Sequence, residues 1–375
     1  MKIRESNYEL MRIVSMIFII IYHSISYGGL LGHTFNTSMQ ALLHLIRFIV
    51  VVHVDSFVLV SGYFQSKSKF KFSKLLKLVL QGLFYVLVLN FILYKFGYIT
   101  DVSKFTLLID ILPSSLGQYW FIATYIILYL LSDYINKIID RLSRIEFKNL
   151  LILLFVLLSI IPFVTGHKLF SNSGFTLYNF IFLYLFGSYL RKYPLKESYH
   201  FKRFTKTGYF SLMLFGFFAM AFASFSLYII ARNSTSWESV DWLMTRVNEV
   251  RLGYATPYVI IQSICYFEMF GLLKFKSKIV NYLSSCTFGI YLFHEHQYIR
   301  PILYVLVGVD KGMYDAGLYV FKDILIATVI IFIVGVIIES IRKLIFKLLS
   351  KTLVIKYISG FLRKFITSFS FNINW

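Results

Sequence analysis

The stretch LMRIVSMIFIIIYHSISYG, residues 10–28, is apolar along most of its length and carries only Arg12 and His23 as basic side chains. A bilayer core of roughly 30 Å takes about 20 mostly apolar residues of helix, so this stretch reads as a transmembrane span. Nine more stretches of the same kind follow, near 40–64, 74–96, 118–138, 149–166, 175–191, 207–231, 254–272, 281–307 and 319–341. Composition agrees with them. Of the 375 residues, 58% are hydrophobic, above the roughly 45 to 50% usual in soluble domains, and the mean hydropathy is +0.71. The expected fold is all-α, a polytopic membrane bundle of about ten transmembrane helices.

Lys and Arg outnumber Asp and Glu by 38 to 18, an excess that fits nucleic acid, acidic ligands or an anionic membrane face. The positions of the charges decide between these. Twenty-seven basic residues fall in the N-terminus, the C-terminal segment and alternate loops, seven fall in the intervening loops, and Arg12, Arg47, Arg300 and Lys322 lie within spans. Short cytoplasmic loops hold the Lys and Arg excess, so both termini are expected to be cytoplasmic. The positive charge then belongs to topology and to anionic lipid headgroups of the bilayer, and nucleic acid is excluded as the main partner.

The N-terminus has Lys2 and Arg4 ahead of the apolar run, but no small-residue cleavage site follows Ile13 to Tyr22, so the first span is expected to stay uncleaved. The two cysteines, Cys265 and Cys286, have no metal-ligand spacing and form no disulfide framework. After the last span, Lys343, Lys347 and Lys351 recur every four residues among Leu344, Ile345, Leu348 and Leu349. The chain thus divides into a transmembrane domain, 1–341, and a basic amphipathic cytoplasmic tail, 342–375, that lies on the inner leaflet.

Arg12 and His23 are eleven residues apart, which at about 100° per residue returns them to within about 20° of one helix face. At roughly 1.5 Å per residue they are about 16 Å apart along the axis, so they share a stripe without touching. A guanidinium near the cytoplasmic surface suits a phosphate-bearing ligand, and a buried imidazole suits general-base work on a hydroxyl. A snorkelling arginine and a hydrogen-bonded core histidine fit the same spacing.

Arg12 and His23 match the R-x10-H motif of the membrane-bound acyltransferase 3 family, within Tyr8-Glu9-Leu10-Met11-Arg12-Ile13 to Tyr22-His23-Ser24. Further matches follow in that family's order: Ser61-Gly62-Tyr63-Phe64, Tyr119-Trp120-Phe121-Ile122, and Phe288-Gly289-Ile290-Tyr291-Leu292-Phe293-His294-Glu295. The chain therefore resembles a surface-polysaccharide O-acetyltransferase of this family over residues 8 to 295. The resemblance implies transfer of acetyl or another acyl group from a coenzyme A donor to an extracytoplasmic hydroxyl, commonly of a surface, capsular or lipid-linked glycan. It makes His23 the catalytic base and Arg12 an active-site residue on the donor side. Some members carry an R-x-x-R pair opening the third span; here Lys74 and Lys77 stand there, keeping charge but losing bidentate geometry.

Acetyl-CoA is thus the expected donor substrate, with no bound cofactor, and Arg12, Lys74 and Lys77 are its candidate contacts. His294 falls at nearly the depth of His23 by the same axial arithmetic, so the two are expected to line one cavity. His294, Glu295 and Trp120 are candidate acceptor contacts, with Tyr119 beside Trp120 expected as an interfacial anchor. His53 and Asp55 are weaker candidates at mid-depth, and Trp237, Glu238, Asp241 and Trp242 offer sugar-type contacts in a long outer loop. No metal is expected, because His23, His53, His294 and His296 lie on different spans or at unhelpful spacing. A glycan transporter, flippase or polymerase would also need many spans and buried polar groups. Paired Gly/Pro-interrupted spans would favour transport, and Pro162, Pro194, Pro257 and Pro301 do not fall symmetrically.

The orientation is directly measurable. Alkaline phosphatase fused after residue 375 is expected to be inactive, and the same enzyme inserted near residue 105 active; the opposite pattern would reverse the topology.

Overall fold

The computed structural model describes residues 5–31, 37–99, 119–166, 172–233, 253–309 and 319–349. These residues build helices α1 (Ser6–Tyr27), α2 (Thr37–Val50), α3 (His53–Gln65), α4 (Phe72–Lys95), α5 (Trp120–Arg141), α6 (Arg144–Phe155), α7 (Ile161–Thr165) and α8 (Leu177–Lys192). The chain continues through α9 (Lys206–Asn233), α10 (Pro257–Gly271), α11 (Lys278–Ser284), α12 (Thr287–His294), α13 (Arg300–Leu306) and α14 (Tyr319–Leu349). No strand occurs among the described residues.

Seven described stretches are long and apolar enough to cross a membrane: Ser6–Tyr27, Ser38–Gln65, Phe72–Lys95, Trp120–Arg141, Arg144–Thr165, Lys206–Ile230 and Tyr319–Leu349. The remaining three expected spans are helical but short or broken. α8 has 16 residues and α10 has 15, while 281–307 is divided among α11, α12 and α13. α14 runs without a break past residue 342, so Lys343 and Lys347 continue the last long helix; residues 350–375 lie outside the described residues.

Local signals explain several helix ends. Ser143 and Glu146 exchange side-chain and backbone hydrogen bonds in a capping box that opens α6. Thr176 caps α8 and Thr256 caps α10, where Pro257 occupies the first turn, a position at which its missing N–H costs nothing. Pro162 has the opposite effect inside an apolar run. Its ring crowds the carbonyl four residues back, and the turn before it opens into a π segment, Val156–Ile160.

α1 is the axis of the bundle, packed against α2, α3, α10, α11, α12, α13 and α14. Tyr8, Met11 and Tyr22 join an apolar cluster with α3, α8, α9 and α10. Met16, Ile19, Ile20 and Ile25 join a second cluster with α4, α12 and α14. α1 thus borders both halves of the core. Outward faces stay apolar, with Phe91, Phe215, Leu325 and Ile333 exposed, while Asn90, Ser132, Asn179, Gln262 and Glu339 are buried. That distribution suits a bundle whose solvent is lipid.

Two glycines set the spacing of α3 and α8. A Cβ at Gly62 would overlap the carbonyl of Tyr184, and one at Gly187 would overlap the carbonyl of Leu59. The backbones therefore meet directly, as small residues allow between membrane helices, and Ser188 donates a hydrogen bond to the Gly62 carbonyl at 3.1 Å. Gly289 has a similar role on α12. Its missing side chain admits the Glu339 carboxylate, which accepts from Tyr85 at 2.9 Å and pairs with Arg342 at 2.6 Å.

Gly62→Leu is expected to lower the unfolding temperature of the detergent-solubilised protein sharply, since overpacking a closed contact costs about 1–3 kcal/mol or more. Leu325→Ala, on an outward face, should change it little. Equal stability of Gly62→Leu and wild type would contradict the backbone-to-backbone contact.

Candidate active site

A cavity of about 770 Å³ follows α1 along one stripe, lined by Glu9, Arg12, Met16, Ile19, His23 and Tyr27. These residues recur every three or four positions, the spacing of a single helix face. From Glu9 to Tyr27 the stripe covers about 27 Å, close to the thickness of a bilayer core. The structure therefore places Arg12 and His23 on the same cavity, towards opposite ends.

At the Arg12 end, the guanidinium Nη1 lies 3.2 Å from both oxygens of Glu9. Glu9 also accepts the hydroxyl of Ser284, and Ser284, Ser285 and Thr287 line the cavity here. A carboxylate one turn away accounts for the cost of holding Arg12 within an apolar helix, and the guanidinium retains further N–H donors. Lys74 and Lys77 are exposed on the first turns of α4 and do not line the cavity, whereas Leu78 does.

At the other end, His23 Nδ1 lies 2.8 Å from Glu295 Oε1 and 3.3 Å from His294 Nε2. His294 Nδ1 is 2.7 Å from the Ile290 carbonyl, which can only accept, so Nδ1 of His294 carries the proton and its Nε2 is the acceptor. A neutral His23 in this row would carry its proton on Nδ1, facing the His294 Nε2 lone pair, with the Glu295 carboxylate 2.8 Å from the same nitrogen. In that tautomer His23 Nε2 bears a lone pair. Arg300 holds the second Glu295 oxygen at 3.4 Å and lies over the Tyr27 ring at 4.5 Å. A carboxylate-oriented imidazole of this kind can accept a proton and be stabilised as imidazolium.

The same three side chains bring their ligand atoms within 4.8 Å of one another, a set that could hold a metal ion. The sequence argument against a metal rested on span separation, and folding removes that separation. The distances favour direct contact instead. Ligands held about 2.0–2.1 Å from zinc in a tetrahedron stand about 3.4 Å apart, whereas His23 Nδ1 and Glu295 Oε1 are 2.8 Å apart.

Trp120 lines the cavity and stacks on Tyr254 with ring centroids 6.0 Å apart and planes inclined by 21°. Phe175 completes an aromatic wall, 4.6 Å from Trp120 and 5.0 Å from Tyr254. Tyr119 is not an interfacial anchor. It is buried, and its hydroxyl donates to the Leu292 carbonyl at 2.7 Å, because a phenol removed from solvent needs an acceptor. His53 lies on the cavity wall, edge-on to Tyr22 and Tyr254. Asp55 is buried off the cavity, accepting from Ser263 at 3.4 Å. Trp237, Glu238, Asp241 and Trp242 lie outside the described residues.

Glu9, Arg47, Tyr254 and Arg300 line the cavity without having been singled out from the sequence. Glu9 and Arg47 carried a usable signal, being ionisable residues within or beside apolar spans. Arg300, also inside an expected span, carried the same signal, whereas Tyr254 reaches the cavity only through tertiary packing.

No curated protein and no solved structure is similar enough to this chain to count as a match. Residues 5–340, nearly the whole chain, match the acyltransferase domain family, acyltransferase 3, so this multi-pass membrane protein belongs to that family of acyltransferases.

Proposed function

We propose that the protein is an O-acyltransferase of the plasma membrane that moves an acyl group, acetyl by family expectation, from cytoplasmic acyl-CoA to a hydroxyl of an extracytoplasmic surface glycan. The observation that carries this reading is His23, with Nδ1 held 2.8 Å from Glu295 in a cavity that Arg12 also lines, about three helical turns away on the same helix. Arg12 receives the phosphate-bearing donor, and the thioester extends along α1 towards His23. Lys74 and Lys77 add positive charge at the donor approach. A sugar hydroxyl enters from the His23 end, packed against Trp120 and Tyr254.

His23 Nε2 takes the hydroxyl proton as the oxygen attacks the thioester carbonyl. The C–S bond then breaks, the proton passes from His23 to the departing thiolate, and the products are an O-acyl glycan and free coenzyme A. Glu295 steadies the imidazolium between those steps, and His294 fixes the tautomer. Alignment of the two substrates in one cavity supplies the rest of the rate enhancement.

Cells lacking the protein, complemented at matched membrane levels, test this reading through the O-acyl content of their surface glycan. His23→Ala is expected to lower transfer by about 10² to 10⁴-fold, the usual worth of a positioned base, and Arg12→Ala to abolish it through the donor. Glu295→Gln should fall between His23→Ala and wild type. Full restoration by His23→Ala would overturn the mechanism. Transfer by purified protein should survive a chelator; loss on chelation and recovery with zinc would turn the His23, His294 and Glu295 group into a metal site.

A further inference from the structure

Arg47 lies in the last turn of α2, only 6% exposed, and it lines the cavity. Its neighbours are a phenol and an imidazole. Nη2 donates to the Tyr22 hydroxyl at 3.2 Å, Nη1 is 3.5 Å from His44 Nδ1, and the guanidinium carbon sits 4.9 Å over the Tyr22 ring. Nε has no partner among the described residues. No carboxylate among them pairs with Arg47, whereas Arg12 and Arg300 on the same cavity and Arg342 in the core each have one. A buried guanidinium facing a cavity without a counter-ion is costly unless an anion joins it.

Its position says which substrate brings the anion. Arg47 stacks on Tyr22, the residue before His23, and the Tyr22 and His23 rings are 5.9 Å apart. Tyr22 is ten residues, about 15 Å, along α1 from Arg12, so Arg47 is at the end opposite the donor phosphates. We propose that Arg47 is an anion subsite for the acceptor, binding a carboxylate or phosphate carried by the glycan and thereby setting a nearby hydroxyl against His23. A planar guanidinium matches either group through paired N–H donors. This assignment rests on the acyltransferase reading, in which the acceptor occupies the His23 end.

The test uses the full chain in nanodiscs and three small probes: methyl β-glucuronide for a carboxylate, glucose 1-phosphate for a phosphate, and neutral methyl β-glucoside. At least one anionic probe is expected to bind tenfold or more tightly than the glucoside, and which one does so identifies the group. Arg47→Gln should erase the preference, and Arg47→Lys should keep part of it. Equal binding of the three probes to wild type, or a preference that survives in Arg47→Gln, overturns the subsite. If Arg47→Gln does not fold, the wild-type ranking and Arg47→Lys decide. Acetyl-CoA titration separates the two claims: donor binding without anion preference removes the subsite alone, and anion preference without donor binding removes the donor reading alone.

Discussion

The contact between His23 and Glu295 is the constraint around which the rest is arranged. An imidazole and a carboxylate inside an apolar bundle are each costly alone, and each becomes tolerable through the other. Their 2.8 Å approach requires that the C-terminal end of α12 meet the C-terminal half of α1. Several features act to hold it there. Gly289 lets α12 sit close against Glu339 on α14. Tyr119 reaches the Leu292 carbonyl. His294 turns its own ring by bonding to Ile290 and backs His23 from behind.

The cavity is the complement of this packing. α1 gives its Glu9-to-Tyr27 stripe to the empty space and its remaining faces to two apolar clusters. Its length is similar to a bilayer core, and along it Arg12 and His23 stand about 16 Å apart on one cavity-lining stripe. The chemistry proposed for the protein uses that separation, with donor and acceptor assigned to different compartments.

Much of this was legible in the sequence because it depends on helix geometry alone. The R-x10-H spacing put Arg12 and His23 on one face, and axial depth put His294 level with His23. The structure has them 3.3 Å apart, but only His23 lines the cavity, and His294 is buried behind it. Loop-borne and packing-dependent features were not legible. Lys74 and Lys77 are exposed and outside the cavity lining, which their charge alone does not reveal, and Tyr119 looks like an anchor until its burial is known. Three expected spans are shorter or more broken than a 20-residue window assumes, since backbone shielded by neighbouring helices need not form one continuous helix. Arg47 was visible as a charge in a span, but that no carboxylate among the described residues pairs with it is a property of the fold.

The most direct test of a two-ended cavity is sidedness. Sealed vesicles of defined orientation would be loaded with acceptor glycan on one side, and radiolabelled acetyl-CoA added to the other. The account expects labelled glycan only when acetyl-CoA meets the Arg12 end and the glycan meets the His23 end. Equal labelling with both substrates on the same side would contradict it.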